Sequence, residues 1–327
     1  MHIFTRNSAT FVQILCRTMK AVRFLIFFAF FLFSACSGRY EVVGGYAQGG
    51  TWSVKYRSDG IKVGKQKVQA DIDAILIAVD TTLSGYNRKS LLSRRNAGED
   101  VELNPMFLEM ESLAEHYREL SGRAFDAAAG PLFDIWGFGF TSGSLPDEVQ
   151  IAEAMERCRK REVLNFNAIA QGYSCDLVAA YLHSIGVKDM LVDIGEIYCE
   201  GLNPKGEGWS IGIDEPADGN NAPGKKLAGI WKSDGGCYGV VTSGNYRKFY
   251  VRDGRKYAHT IDPRTGRPVE HNLLSATVIA PTATEADALA TYFMVAGLAE
   301  AQEYVQTHPE IEACLITSEE IWKSEDF

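Results

Sequence analysis

Residues 246–261 read YRKFYVRDGRKYAHTI. Two runs rich in aromatic and β-branched residues, Tyr246–Val251 and Lys256–Ile261, flank Asp253-Gly254, a dipeptide suited to the positive φ angles of a hairpin turn. A hairpin makes its strands antiparallel, whereas βαβ crossovers make them parallel. Working outward, Ser275–Ala280 reads as the next strand. Thr282-Ala283-Thr284-Glu285 has capping-box spacing and opens a helix expected to run to about Gln306, with Leu315–Thr317 closing a sheet. Upstream, Trp209–Ile213 and Met190–Ile194 read as strands, and Tyr173–Ile185 as a helix ended by Gly186. Asn104-Pro105 supplies a cap and a proline at the first helical position; Met106, Met110, Leu113, Tyr117 and Leu120 give one apolar face, stopped by Gly122. Ile72, Ile75, Leu76, Val79 and Leu83 predict an amphipathic helix over Asp71–Leu83. Thr51–Tyr56 alternates like a strand, and residues 36–50 read as a glycine-rich tether. The expected fold is α+β, or mixed α/β: one unit of antiparallel or mixed sheets flanked by helices, over residues 51–327.

The chain has 327 residues, of which 46% are apolar and 23% charged, values of a globular protein. Its formal charge is −9, and residues 1–35 contain basic residues (Arg6, Arg17, Lys20, Arg23) but no acid, so the remainder is more acidic still. Such a surface repels a polyphosphate backbone, which argues against nucleic acid as a partner. Lys20 and Arg23 precede the apolar run Phe24–Phe33, which is short for a membrane span, and Ser34-Ala35-Cys36 follows. This reads as a bacterial lipoprotein signal, with lipidation at Cys36, Met19 as the start, and export to the periplasmic side of a membrane. A plain signal peptide cut near Ala35 is the alternative. Cys158, Cys175, Cys199, Cys237 and Cys314 are odd in number and lack metal-ligand spacing. One disulfide is compatible with an oxidising compartment, and small buried hydrophobes are the plainer reading.

Asp287 and Thr291 lie four apart, hence on one face of the predicted helix, where a carboxylate and a hydroxyl can both ligate a hard cation such as Mg²⁺. An acid early in a helix also simply complements its dipole. His259 stands before Asp262-Pro263-Arg264-Thr265-Gly266, a strand running into a turn; a histidine there can be a base, a phosphate ligand or a structural group. Phe125–Gly139 mixes small residues, which permit close backbone approach, with aromatics able to wall a flat ring. Asn165–Tyr173 is a small-residue turn opening a helix, a place where backbone groups can meet phosphate or its metal. Neither is a Walker loop or a G-x-G-x-x-G fingerprint.

From Gly49 to the C-terminus the chain resembles the ApbE family of FAD:protein FMN transferases, formerly called thiamine-biosynthesis lipoproteins. The likeness rests on Gly50-Thr51-Trp52, Leu83-Ser84-Gly85-Tyr86, Phe125–Gly139, Ala168–Gly172, Leu191–Glu196, Thr242–Tyr246, Tyr257–Gly266 and Ala286–Thr291, in that order. The resemblance implies FAD as substrate, with Mg²⁺ bridging its pyrophosphate. It assigns FAD contacts to Gly49, Tyr86 (against the isoalloxazine), Ala124, Phe125, Asp126, Asn165, Gln171 (facing the phosphates) and the backbone of Ile261. It places the metal on the carbonyl of Ala168 and the side chains of Asp287 and Thr291, and His259 beside the transferred phosphoryl group. His259 and Asp287 are then the catalytic pair. The acceptor is a threonine or serine hydroxyl of a target flavoprotein, such as a subunit of a membrane redox pump, and AMP leaves.

The chain departs from the family pattern at four places. Gln171 stands where lysine is usual, and Asn165 replaces a common aspartate. Asp193-Ile194-Gly195-Glu196 has one glycine where a pair is usual, and the stretch from Gly139 to Asn165, with its basic run Arg157–Arg161, is short. Two further functions fit the same residues: a Mg²⁺-dependent FAD pyrophosphatase, in which water replaces the hydroxyl, and a tethered FAD-binding lipoprotein without activity.

Overall fold

Trp52 begins the explanation of the sheet. The strand Gly50–Arg57 (β2) pairs antiparallel with Tyr40–Ala47 (β1), setting Trp52 opposite Gly45. A Cβ at Gly45 would meet the indole Nε1 at 2.8 Å, so the indole lies against bare backbone. The glycines that made residues 36–50 look like a tether therefore make room for Trp52, and Tyr40–Ala47 is a strand rather than a tether. The structure is a computed structural model that describes residues 38–138, 145–217, 224–245, 249–252, 255–258 and 260–327, and Arg39–Phe327 forms one compact unit.

The helices follow in order: α1 (Lys65–Leu83), α2 (Leu91–Asn96), α3 (Pro105–Leu120), α4 (Gly130–Ile135), α5 (Glu148–Arg159) and α6 (Ala170–Ser184). Next come β3 (Met190–Asp193), β4 (Ile197–Glu200), β5 (Ser210–Asp214), β6 (Leu227–Lys232) and β7 (Tyr238–Gly244). The hairpin β8 (Phe249–Arg252) and β9 (Arg255–Ala258) pairs antiparallel, as the aspartate–glycine turn predicts. Then come β10 (Ile261–Asp262), β11 (Arg267–Pro268), β12 (Leu273–Ala280), α7 (Ala283–Ala296), α8 (Leu298–Thr307), β13 (Glu312–Thr317) and β14 (Ile321–Lys323). The main sheet has eight strands in the order β1-β2-β3-β4-β7-β12-β13-β14, every neighbour antiparallel. The fold is α+β, as expected; β13 does not end the sheet, because β14 pairs beyond it.

The sheet is covered on both faces. Val241, Ala276 and Val278 pack with Leu289 and Phe293 of α7, while Val54 and Val192 pack with Ile72 and Val178 of α1 and α6. On the opposite face, Val240, Ile279 and Cys314 meet Trp209, Ile211 and Trp231 of the β5–β6 ribbon. The alternation Val240/Val241 is the period-2 signature of a strand buried on both sides. Outside the helical layer, Phe107, Met110, Phe125 and Phe166 build a further core with α3.

The helix expected from Thr282 to Gln306 is two helices. Thr282 caps it through Glu285 N, but Gly297 adopts φ 87°, ψ 178°, a conformation reserved for glycine, and His271 packs where a Cβ would stand. The short segment before Asn165 folds as α5, closed at its start by a capping box between Asp147 and Gln150. Ile151, Ala154 and Cys158 of α5 pack on Leu132, Trp136 and Ile261; in its last turn Arg157 pairs with Glu162 and Arg159 with Glu156, and just beyond it Arg161 pairs with Glu115. All five cysteines of the described residues are free; Cys158, Cys175, Cys199 and Cys314 are buried and Cys237 is exposed. Among the described residues, no helix is long and apolar enough to cross a membrane.

Two glycines hold the first turn of α7 between its neighbours. A Cβ at Gly239 of β7 would lie 2.3 Å from the amide nitrogen of Ala283, and one at Gly172 of α6 would lie 2.2 Å from the carbonyl oxygen of the same residue. Because backbone cannot yield as a flexible side chain does, Gly239→Ala should destabilise the protein by about 2 kcal/mol or more. Urea denaturation of the two proteins side by side checks this.

Candidate active site

The start of α6 and the start of α7 are built into one another. Asp176, in the second turn of α6, accepts from the amides of Ala283 (2.9 Å) and Thr284 (2.8 Å) and from the Thr284 hydroxyl. In return Asp287, in the second turn of α7, accepts from the amide of Gly172 at 3.0 Å. Asp287 is buried, and burial, reinforced by the neighbouring Asp176 charge and opposed by the Gly172 bond, pushes its carboxyl up to about 7. Thr291 lies one turn further along α7 and is half-buried; Ala168 lies just ahead of α6. Among the described residues no group of three or more His, Cys, Asp or Glu is spaced to hold a metal. A buried carboxylate that accepts from a single amide, on the helix that carries the Thr291 hydroxyl one turn further along, is nonetheless the kind of oxygen donor a hard dication takes, its remaining ligands coming from water and phosphate.

The turn before α6 is anchored to the loop after α3. Asn165 N donates to Ala127 O at 2.7 Å, and the Asn165 side chain accepts from Asn167 N at 2.9 Å. Gly122 and Arg123 both take positive φ, which turns the chain inward and buries Ala124 and Phe125. Asp126 is committed locally: one oxygen accepts from Ala128 N at 2.9 Å and the other faces Arg118 Nε at 3.4 Å, leaving its side chain 2% exposed. A contact from this loop to a nucleotide therefore falls to backbone rather than to the Asp126 carboxylate.

Tyr86 is 69% exposed, yet its loop is held firmly. Ser84 Oγ accepts from the amides of Tyr86 and Asn87, Ser90 Oγ donates to Ser84 O at 2.6 Å, and Asn87 donates to Asp80 at 2.6 Å. The Tyr86 hydroxyl accepts from Asn167 Nδ2 at 3.3 Å, bringing the aromatic loop to the turn that carries Ala168. The sequence reading missed Asn167, because its partner lies 81 residues away and no local pattern marks the pair.

Gln171 Nε2 donates to Ile194 O at 3.1 Å, and a Cβ at Gly195 would meet that nitrogen at 2.6 Å. The single glycine at φ 94° thus gives the β3–β4 turn the left-handed residue it needs, and the neutral amide of Gln171, expected to face the phosphates, packs on that turn. Gly49 shares the β1–β2 turn with Gln48, at φ 81° and 52°, and Gln48 Nε2 donates to Ser174 Oγ of α6 at 2.6 Å. Ile261 is buried beside α4 and α5, and Trp136 Nε1 donates to Gly266 O at 2.8 Å, fixing the turn that follows β10. His259 and Cys36 lie outside the described residues. Thr260, next to His259, donates through Oγ1 to the buried Asn245 and accepts through its carbonyl from Val269 N at 3.1 Å.

The sequence profile of the ApbE family matches residues 48–315. The chain belongs to the ApbE family. It is 32% identical over 291 aligned positions to the FAD:protein FMN transferase of Salmonella typhimurium, covering 81% of each protein. Among solved structures, the ApbE fold is shared with the flavinyl transferase ApbE of Pseudomonas stutzeri in its apo form, at a TM-score of 0.77 and 32% identity, over 89% of this chain and 96% of that one. The flavin transferase ApbE of Vibrio cholerae superposes with a TM-score of 0.74 at 28% identity, over 89% of this chain and 98% of that one.

The sign of Asp287's effect on stability follows from its raised carboxyl. A group whose folded pKa lies above its unfolded value stabilises at low pH, and loses that contribution as pH rises through the folded value, here between about 4 and 7. In metal-free protein, Asp287→Asn retains an acceptor for Gly172 and carries no charge. Its melting temperature should equal or exceed the parent's above pH 7, with the difference shrinking towards pH 4. A difference that does not vary with pH would show that the carboxylate is not paying for its burial.

Proposed function

We propose that this chain is an enzyme that transfers FMN from FAD to a threonine or serine hydroxyl of a target protein, releasing AMP. The observation that carries the reading is the likeness, over four-fifths of the chain, to a relative named for that reaction, and the buried Asp287 at the α6–α7 junction suits its chemistry. In this reading the exposed Tyr86 stacks on the isoalloxazine, and the backbone of Ala124–Asp126, with Asn165, Gly49 and Ile261, lines the nucleotide. Asp287, Thr291 and the carbonyl of Ala168 would hold Mg²⁺, which when bound would offset charge on the pyrophosphate oxygens. His259 accepts the proton of the attacking hydroxyl. A phosphorus–oxygen bond forms to the target as the pyrophosphate bond breaks, the bridging oxygen and its electron pair departing with AMP, and the hydroxyl proton ends on His259. Gln171 supplies no cation, so the phosphates rely on backbone donors and the metal.

Incubation with FAD, Mg²⁺ and a candidate target domain, followed by mass measurement, tests this. A gain of one FMN on the target is expected. FMN and AMP free in solution would replace transfer with hydrolysis, and unchanged FAD would leave carriage. With His259→Asn under saturating FAD, transfer should fall by about 10²–10⁴-fold at an unchanged melting temperature; a near-parental rate would remove His259 from the mechanism.

We further propose that the protein is exported and anchored on the periplasmic side by lipid on Cys36, within reach of a membrane-bound flavoprotein target. A lipoprotein carries several acyl chains, enough for stable binding where one chain is marginal. Cys36→Ser should move the folded protein from the membrane fraction to the soluble one. Equal fractionation of variant and parent would point to a different anchor.

A further inference from the structure

We propose that Asp176 is a positioning residue for the metal corner of the site: it fixes the start of α7, and with it Asp287, against the start of α6. This rests on the reading of Asp287 and Ala168 as metal ligands. The first turn of α7 has a cap of its own, since Thr282 Oγ1 accepts from Glu285 N at 3.1 Å. The two amides ahead of that one, of Ala283 and Thr284, go instead to Asp176, 107 and 108 residues away. Both residues are buried, so water cannot serve these amides, and they are satisfied only where α7 stands at one place on α6. One Asp176 oxygen accepts from Ala283 N and the other from Thr284 N and Oγ1, a two-pronged contact that sets orientation as well as distance.

The reciprocal bond, from Gly172 N to Asp287 Oδ2 at 3.0 Å, ends on the group assigned to the metal, so its strength changes when charge arrives there. The Asp176 bonds end on backbone and on the Thr284 hydroxyl, and are indifferent to what occupies the site. Asp287 is then the working member of the junction and Asp176 the fixed one. Steric contact limits the junction from the other side: Gly172 and Gly239 leave Ala283 no room to come closer, and Asp176 keeps it from moving away. Mg²⁺ takes its oxygens at about 2.1 Å in a near-octahedral array, so a junction free to open would hold it less well.

Flavin fluorescence can follow FAD binding with Mg²⁺ and again in EDTA, with melting temperatures taken on the metal-free proteins. Mg²⁺ should tighten FAD binding to the parent. Asp176→Asn, which cannot accept from both amides, should lose about 10-fold in affinity with Mg²⁺ and less than about 2-fold in EDTA. Thr284→Val keeps the amide bonds and the Asp176 charge and removes only the hydroxyl arm. It should lose about 3-fold with Mg²⁺ alone, and Thr284→Ser should restore the parental value. If Asp176→Asn does not fold, the two Thr284 variants decide by themselves. A lowered melting temperature with both affinities unchanged would make Asp176 a structural cap and overturn the proposal. Equal losses with Mg²⁺ and in EDTA would overturn it too, as would a loss in Asp176→Asn with none in Thr284→Val, which would assign the effect to charge. A parent that binds FAD equally well with Mg²⁺ and in EDTA would overturn the metal reading of Asp287, and the proposal with it, while leaving FAD binding itself intact.

Discussion

Asp176 of α6 holds the first amides of α7 while Asp287 of α7 holds an amide in the first turn of α6, so each helix begins against a carboxylate borrowed from the other. Each acid lies at the positive end of its partner's dipole, the position where negative charge is most favourable. The exchange works only if the two helix starts come within side-chain reach. Gly172 and Gly239 allow that approach, with Ala283 wedged between them. From this junction the rest of the candidate site is laid out: Thr291 one turn on, Ala168 just before α6, and the β1–β2 turn pinned to Ser174.

The two acids are unequally served. Asp176 receives three donors and serves as a helix cap, whereas Asp287 receives the Gly172 amide within a buried setting that disfavours its charge. Burial without matching donors is a cost that a bound dication would remove, and stability is commonly given up at places where a ligand will later supply it. The neutral Gln171 is consistent with that division of labour, since it leaves the junction without a competing cation of its own.

How much of this the sequence disclosed depended on the range of the interaction. The hairpin through Asp253-Gly254, the Asn104-Pro105 helix start and the Thr282 cap were legible because each is decided within four or five residues. Gly44-Gly45 misled because a glycine kept for flexibility and one kept for clearance look alike until Trp52 is placed across the strand. Gly297 was hidden inside a periodic apolar pattern that continues on both sides of the break. Motif likeness brought Tyr86, Ala168, Asp287 and Thr291 forward together, but not Asp176, whose partners lie 107 and 108 residues away, nor Asn167. Likeness also could not show that the Asp126 carboxylate is spent on Arg118 and Ala128.

The free cysteines bear on how readily the chain's thiols are oxidised. Desolvation raises the Cys158 thiol to about 11 and Cys199 to about 12, and drives Cys175 well above its ordinary value. Attack on an oxidant requires thiolate, so these groups are chemically quiet as well as shielded. Cys237 is the exposed thiol of the described residues, and desolvation raises it too. Folding of Arg39–Phe327 thus requires no disulfide isomerase, reductants in the buffer should leave its melting point alone, and within Arg39–Phe327 a maleimide dye has one accessible address at which to report.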